Sequence, residues 1–291
     1  MNRLTFIGCL LLGSGVLWAQ STINPTQKFA WAANAGWIDL RTSPENGVVV
    51  GAYVCSGFGY GANIGWIHLG DGTPEDHVRY SNANGTDYGV NVQPGGFLRG
   101  LAYGANVGWL MFESSGNPRV DLSTGLMSGF IWGANIGWIN LGNMDFQVVV
   151  DSLQSSPDTD NDQIPDAWEY LRTGSLGFLS LNGDLDHDGV SDRNEYQSDT
   201  DPLSSADTFS VMLPQVEKLP NGDMQVTLTW RSSPDREYVI EAIDDLTGSM
   251  WMDAGMGPIK PDAGSQTTRT ITGPPGVRRF YRARVLLPLQ P

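Results

Sequence analysis

A five-residue motif, Ala-Asn-x-Gly-Trp, occurs four times in the first half of the chain and restricts the fold more than any other feature. The copies lie in residues 29–40, 59–70, 102–112 and 131–142, and their tryptophans, Trp37, Trp66, Trp109 and Trp138, are spaced 29, 43 and 29 residues apart. Such self-similarity marks a repeat architecture. Within each copy an aromatic-rich run precedes the motif, and an alternating run of the form Trp-Ile-x-Leu follows it. Asn and Gly accept the left-handed backbone that tight turns need. Each copy therefore reads as a β-hairpin. Further strand signals stand at Val48–Cys55, Gly96–Ala102 and Leu126–Ile131. Asn84-Gly85, in the longer interval between Trp66 and Trp109, suggests one more hairpin. Residues 20–150 are thus expected to form an all-β repeat domain, as a sandwich, a β-roll or a small propeller-like ring. Each repeated Trp is expected to fill the same core slot, with Asn34, Asn63, Asn106 and Asn135 bonding the turn backbone. The competing reading makes the tryptophans platforms for sugar rings.

Charge separates the next segment from its neighbours. The chain carries 32 acidic and 17 basic side chains, a formal net charge of -15. Residues 151–207 alone hold 14 of the acidic residues and only Arg172 and Arg193 as basic ones. This balance repels a nucleic-acid backbone. The acidic residues are also patterned. Asp158, Asp160, Asp162, Asp166 and Glu169 occupy positions 1, 3, 5, 9 and 12 of a twelve-residue loop. Asp184, Asp186, Asp188, Asp192 and Glu195 repeat those positions 26 residues later. In a curved loop alternate residues point inward. Position 7, Ile164 or Val190, offers its backbone carbonyl, and the glutamate reaches back with both oxygens. Calcium, which takes 6–8 oxygens at about 2.3–2.6 Å, suits that set. Asp199 and Asp201 continue the alternation and are candidate additions to the site, whereas His187, at loop position 4, points away from the ion.

The two loops differ in ways that predict unequal sites. Position 6 calls for a positive φ. The second loop supplies Gly189, but the first has Gln163, at a cost on the order of 1 kcal/mol. Pro165 lacks the N–H through which paired loops join by a short β-bridge. Glycines interrupt the stretch between the loops. The segment is therefore expected to hold one or two short helices, one around Ala167–Arg172, and no four-helix sensor lobe. It resembles the thrombospondin type 3 and bacterial EF-hand-like repeats of secreted multidomain proteins. That resemblance implies structurally bound calcium. Eukaryotic members carry cysteines between their loops and this chain has none there, so no disulfide framework is implied.

The remaining features complete the expected organisation. Met1–Gln20 has Arg3, an apolar run from Leu4 to Trp18 and a small residue, Ala19. This is the layout of a secretory signal peptide over 1–19, placing the protein outside the cell or on its surface. The mature chain is left with a single cysteine, Cys55, expected to be buried and reduced, and with no span of transmembrane length. In residues 208–291, Met224–Trp230 alternates with period two after the turn signal Asn221-Gly222, Arg236–Ile243 and Thr267–Ile271 read as further strands, and Arg279–Val285 alternates basic and apolar residues. This part is similar to fibronectin type III-like or immunoglobulin-like β-sandwiches, with Trp230 on the inner face. The arginines Arg278, Arg279, Arg282 and Arg284 are expected on a solvated strand face.

The fold class is then mainly β: a repeat domain, a calcium-loop segment at 151–207 and a C-terminal sandwich. No H-E-x-x-H, G-x-S-x-G or P-loop pattern occurs. The leading expectation is a non-catalytic, calcium-binding adhesion or assembly protein, with surface proteins or extracellular polysaccharide as partners. The alternative is a carbohydrate-binding or polysaccharide-degrading protein, with Asp39, Glu113 and Asp145 as the available carboxylates.

Overall fold

The computed structural model describes residues 20–274 and 278–290. The signal-peptide reading of 1–19 lies outside the described residues. The fold is mainly β, with two short α-helices, α1 (Asp166–Thr173) and α2 (Asp192–Ser198), between two β-regions.

Each motif forms the expected hairpin. Strand Ile23–Ala32 pairs with Gly36–Asp39, Cys55–Gly61 with Gly65–His68, Phe97–Gly104 with Gly108–Phe112, and Phe130–Gly133 with Gly137–Asn140, all antiparallel. The turns share one geometry. The residue before the motif glycine donates its N–H to the carbonyl three positions earlier, as in Ile64 to Gly61 at 3.1 Å. The motif glycines then take φ of 76–82°, which closes the turn into the leaving strand.

The four hairpins join edge to edge. Ile38 pairs with Gly61, Ile67 with Gly104, Leu110 with Gly133, and Ile139 with Ala32 of the first hairpin. Eight strands thus close into an antiparallel barrel. This is none of the three architectures expected from the sequence. Closure satisfies both edges of every hairpin, which a sandwich or roll would leave exposed. The motif asparagines complete the ring. Asn63 Nδ2 donates to the Ala35 carbonyl at 3.1 Å, Asn106 to Ile64 at 3.2 Å, Asn135 to Val107 at 3.0 Å and Asn34 to Ile136 at 3.2 Å. Each asparagine bonds the turn of the preceding hairpin, not its own.

The barrel interior is filled by Ile38, Leu40, Ile67, Leu69, Leu98, Leu110, Phe112, Ile131, Ile139 and Leu141, with Ala30 and Ala102 opposite. The residual void is only about 30 Å³, so no ligand enters. Small residues face large ones because eight strands enclose a space just wide enough for side chains. A Cβ on Gly61 would stand 2.6 Å from Ile64, and one on Gly104 would stand 2.6 Å from Val107. Valine-rich strands Val48–Val50, Val90–Gln93 and Val148–Val150 extend the core.

Two sequence expectations are corrected here. The repeated tryptophans do not enter the core: Trp37, Trp66, Trp109 and Trp138 are 49, 49, 40 and 44% exposed on the outer face. The following Ile or Leu takes the inward position, because strand side chains alternate and an indole is too large for this lumen. Asn84-Gly85 makes no hairpin. Asn84 Oδ1 instead accepts the N–H groups of Thr86 and Asp87 at 2.9 and 2.8 Å, an Asx turn within a loop. Cys55 is buried, as expected, and burial pushes its thiol up to about 12.

The C-terminal region holds two three-stranded antiparallel sheets. One orders Gln215–Lys218, Met224–Arg231 and Gln266–Gly273. The other orders Met252–Asp253, Glu237–Ile243 and Phe280–Leu286. Their shared core contains Leu228, Trp230, Tyr238, Ile240, Ile259 and Val285. Trp230 is fully buried, as its inner-face position requires. Three of the four arginines are ion-paired on a face that stays solvated: Arg282 and Arg284 both donate to Glu241, at 2.7 and 2.8 Å, and Arg279 donates to Asp244 at 2.8 Å.

Candidate metal centre

The two acidic loops fold in the same way. Asp158 accepts N–H groups from Asp162 and Gln163 at 3.1 and 3.0 Å. Asp184 accepts from Asp188 and Gly189 at the same distances. Asp162 Oδ1 takes the Ile164 N–H at 2.8 Å and Asp188 Oδ1 takes that of Val190 at 2.7 Å. The position-1 and position-5 carboxylates thus bend each loop by binding its own amides. The carboxylates of positions 1, 3 and 5 also converge. One oxygen from each of Asp158, Asp160 and Asp162 lies within 4.8 Å of the others, and so does one from each of Asp184, Asp186 and Asp188. Either triplet can hold a metal ion.

The glutamates supply a second, independent observation. Glu169 and Glu195 are both 0% exposed. α1 and α2 carry them beneath their loops. Both oxygens of Glu169 and Oε2 of Glu195 are buried with no hydrogen-bond partner, as are Asp162 Oδ2, Asp186 Oδ2 and Asp188 Oδ2. Buried carboxylate oxygens without partners are strongly disfavoured unless a cation or proton compensates them. Burial, with Asp162 and Asp160 nearby, pushes Glu169 up to about 8. Burial, with the Asp186 carboxylate nearby, pushes Glu195 up to about 7. The carbonyls of Ile164 and Val190 accept no backbone hydrogen bond among the described residues. Each loop therefore presents three converging aspartates, while Glu169 and Glu195 lie outside the 4.8 Å groups, and the all-oxygen chemistry of these side chains and carbonyls suits a hard cation.

The position-9 aspartates do not join these clusters. Asp166 takes the Thr159 N–H at 2.8 Å and the Thr159 hydroxyl at 2.5 Å. Asp192 takes the N–H of Leu185 at 3.0 Å and of Ser180 at 2.9 Å. Each sits at the start of its helix, where a carboxylate complements the dipole, and ties the helix to the entering loop. Asp199 and Asp201 are elsewhere too. Asp199 bonds Arg172 at 3.0 Å, and Asp201 bonds the Leu203 N–H at 3.2 Å. His187 stays outside, with Nδ1 2.8 Å from the Asp184 carbonyl. Sequence reasoning missed Thr159, Ser180 and Thr200, whose hydroxyl donates to Glu195 Oε1 at 3.2 Å. Only Thr159, inside the loop, left a local signal.

Gln163 does take the strained conformation its position demands, with φ of 72°, against 93° for Gly189. Its side-chain oxygen accepts from Arg193 Nε at 3.1 Å, linking the first loop to α2. No strand pairing joins the loops among the described residues, in keeping with Pro165. Beneath them Ile164, Trp168 and Leu179 form a small core, onto which Leu185, Tyr196 and the barrel residue Tyr53 pack. Comparison of the chain with protein-family models, with curated proteins and with solved structures found no match.

Proposed function

We propose that this is a secreted, non-catalytic, calcium-binding protein of the cell surface or extracellular matrix, in which two calcium ions stiffen the connector between the barrel and the sandwich. The carrying observation is the pair of fully buried glutamates, with unpartnered oxygens, that feel the charge of two aspartate triplets whose oxygens converge. Calcium fits better than magnesium. Each loop offers more than the few protein ligands that magnesium accepts, and the terminal glutamate can bind through both oxygens. The likeness to thrombospondin type 3 repeats supports the same ion.

The connector has the contacts such a role needs. Arg236 of the sandwich donates to the Gln197 carbonyl at 2.8 Å and to the Tyr196 carbonyl at 2.5 Å, at the end of α2. Asp199, the left-handed cap of α2, faces Arg172 and bonds the Ser233 hydroxyl. On the other side His77 of the barrel stacks on Tyr170 of α1 with 4.3 Å between centroids. Ordering the loops orders both helices, and through them both neighbours.

Calorimetric titration with calcium tests the proposal. The chain lacking residues 1–19 is expected to bind two ions, and the Asp184→Ala/Asp188→Ala variant one, having lost the tighter. Absence of binding heat at millimolar calcium, together with unchanged circular dichroism, refutes it.

A further inference from the structure

The outer wall of the barrel carries a feature that the calcium reading does not use. Each hairpin displays an aromatic pair across its two strands: Trp31 with Trp37, Tyr60 with Trp66, Tyr103 with Trp109, and Trp132 with Trp138. The four pairs repeat one geometry, with centroids 4.8–4.9 Å apart and planes at 57–64°. Each motif Trp is locked against its neighbour, yet keeps two-fifths or more of its surface open. Exposed aromatic rings held in fixed orientation bind with little loss of conformational freedom.

We propose that this belt binds neutral polysaccharide, with the best-formed subsite at Trp37. There Phe29 and Phe146 flank the indole at 6.2 and 5.2 Å, both close to perpendicular. The resulting groove, of about 530 Å³, is rimmed by Gln27, Asp145 and Gln147. None of those three side chains is engaged in a hydrogen bond among the described residues. An apolar platform beside unengaged planar amides and a carboxylate matches a pyranose ring, which offers a C–H face and a rim of hydroxyls.

Two observations select this occupant. The next outward tier pairs Phe29 with Asp39, Phe58 with His68, Leu101 with Met111 and Phe130 with Asn140, so in three of the four hairpins a polar side chain stands beside the aromatic and the wall is not the unbroken apolar band that lipid requires. The barrel segment, residues 20–150, carries 9 acidic against 5 basic side chains, a balance that disfavours anionic membranes and acidic polysaccharides alike. Four equivalent platforms around one barrel also suit a polymer of repeating units, where several weak contacts add through effective concentration. The inference is independent of the metal: the belt lies on the barrel, which the loops do not build.

The test is calorimetry of the calcium-loaded mature chain against cellohexaose, chitohexaose, xylohexaose and mannohexaose, with co-sedimentation on the corresponding insoluble polymers. Binding to at least one is expected. Trp37→Ala and, separately, Gln27→Ala/Asp145→Ala should each weaken it at least tenfold, with unchanged circular dichroism and calcium stoichiometry. The second variant touches no packed side chain, so its folding is not in question. Failure of all four sugars and polymers, or binding that both variants leave intact, overturns the inference. So does association only with lipid vesicles of mixed phosphatidylcholine and phosphatidylserine, or a self-association in sedimentation that Trp37→Ala abolishes.

Discussion

The barrel and the acidic connector are both tandem repeats, but they settle their inward-facing groups in opposite ways. In the barrel each hairpin meets the needs of the next. Strand edges pair with strand edges, and each motif asparagine caps the neighbouring turn. The last repeat finds the first, so nothing is left over. In the connector the inward groups are carboxylates, and a second copy of the loop only adds more of them. On the function proposed above, closure there needs a cation from outside the chain. The barrel closes on itself, whereas the connector has only the small core of Ile164, Trp168 and Leu179 beneath its carboxylates, so under that proposal its order is conditional on the ion.

Withdrawing calcium is the strongest way to break the comparison. A ligand at a hundred times its Kd stabilises by about 2.7 kcal/mol, so two ions together supply about 5 kcal/mol. With a chelator present, limited proteolysis is expected to cut first within 151–207 and to leave the barrel as a resistant fragment. Equal resistance of the connector with and without calcium would show that its own packing suffices.

The barrel should respond to the converse change. Ile139→Ala removes a buried side chain beside the seam where the last hairpin meets the first. It is expected to destabilise the barrel by about 3 kcal/mol, by the same amount with and without calcium in denaturant titrations. Asn135→Ala removes one bond of the asparagine ring and should cost about 1 kcal/mol, again without calcium dependence. A calcium-dependent loss in either variant would mean that the two regions share one cooperative unit.

How much of this was legible in the sequence follows from the range of the interactions. Each metal loop is written in twelve consecutive residues, so Asp158, Asp160, Asp162 and their counterparts could be read directly. The hairpins are equally local. Barrel closure depends on which distant edges meet, and no residue near Trp37 records that Ala32 will pair with Ile139. The direction of the tryptophans was obscured for a related reason. Trp37 and Ile38 are adjacent, both apolar, and one of them must face out. The width of a closed eight-stranded lumen decides in favour of Ile38, and that width is a property of the whole ring. The matching pairs Trp31–Trp37 and Tyr60–Trp66 were visible hints, since large aromatics directly across a hairpin share one face. At position 9 the spacing could not show that Asp166 and Asp192 would be claimed by Thr159, Leu185 and Ser180.

The smallest effect offers the finest comparison, within the connector itself. The loops differ at position 6, where Gln163 and Gly189 both adopt positive φ. A Cβ on Gly189 would meet nothing within 4 Å, so Gly189→Ala introduces backbone strain without a clash. That strain is about 1 kcal/mol, which lowers affinity at the second site about fivefold. The first loop already bears it in Gln163, offset in part by the Arg193 bond. Calorimetry on Gly189→Ala is therefore expected to show two binding steps drawn together, with the stoichiometry kept at two. If the steps stay as far apart as in the parent chain, backbone strain at position 6 does not set the difference between the sites, and the asymmetry must come from Pro165 or from the looser burial of the first triplet, where Asp160 is exposed.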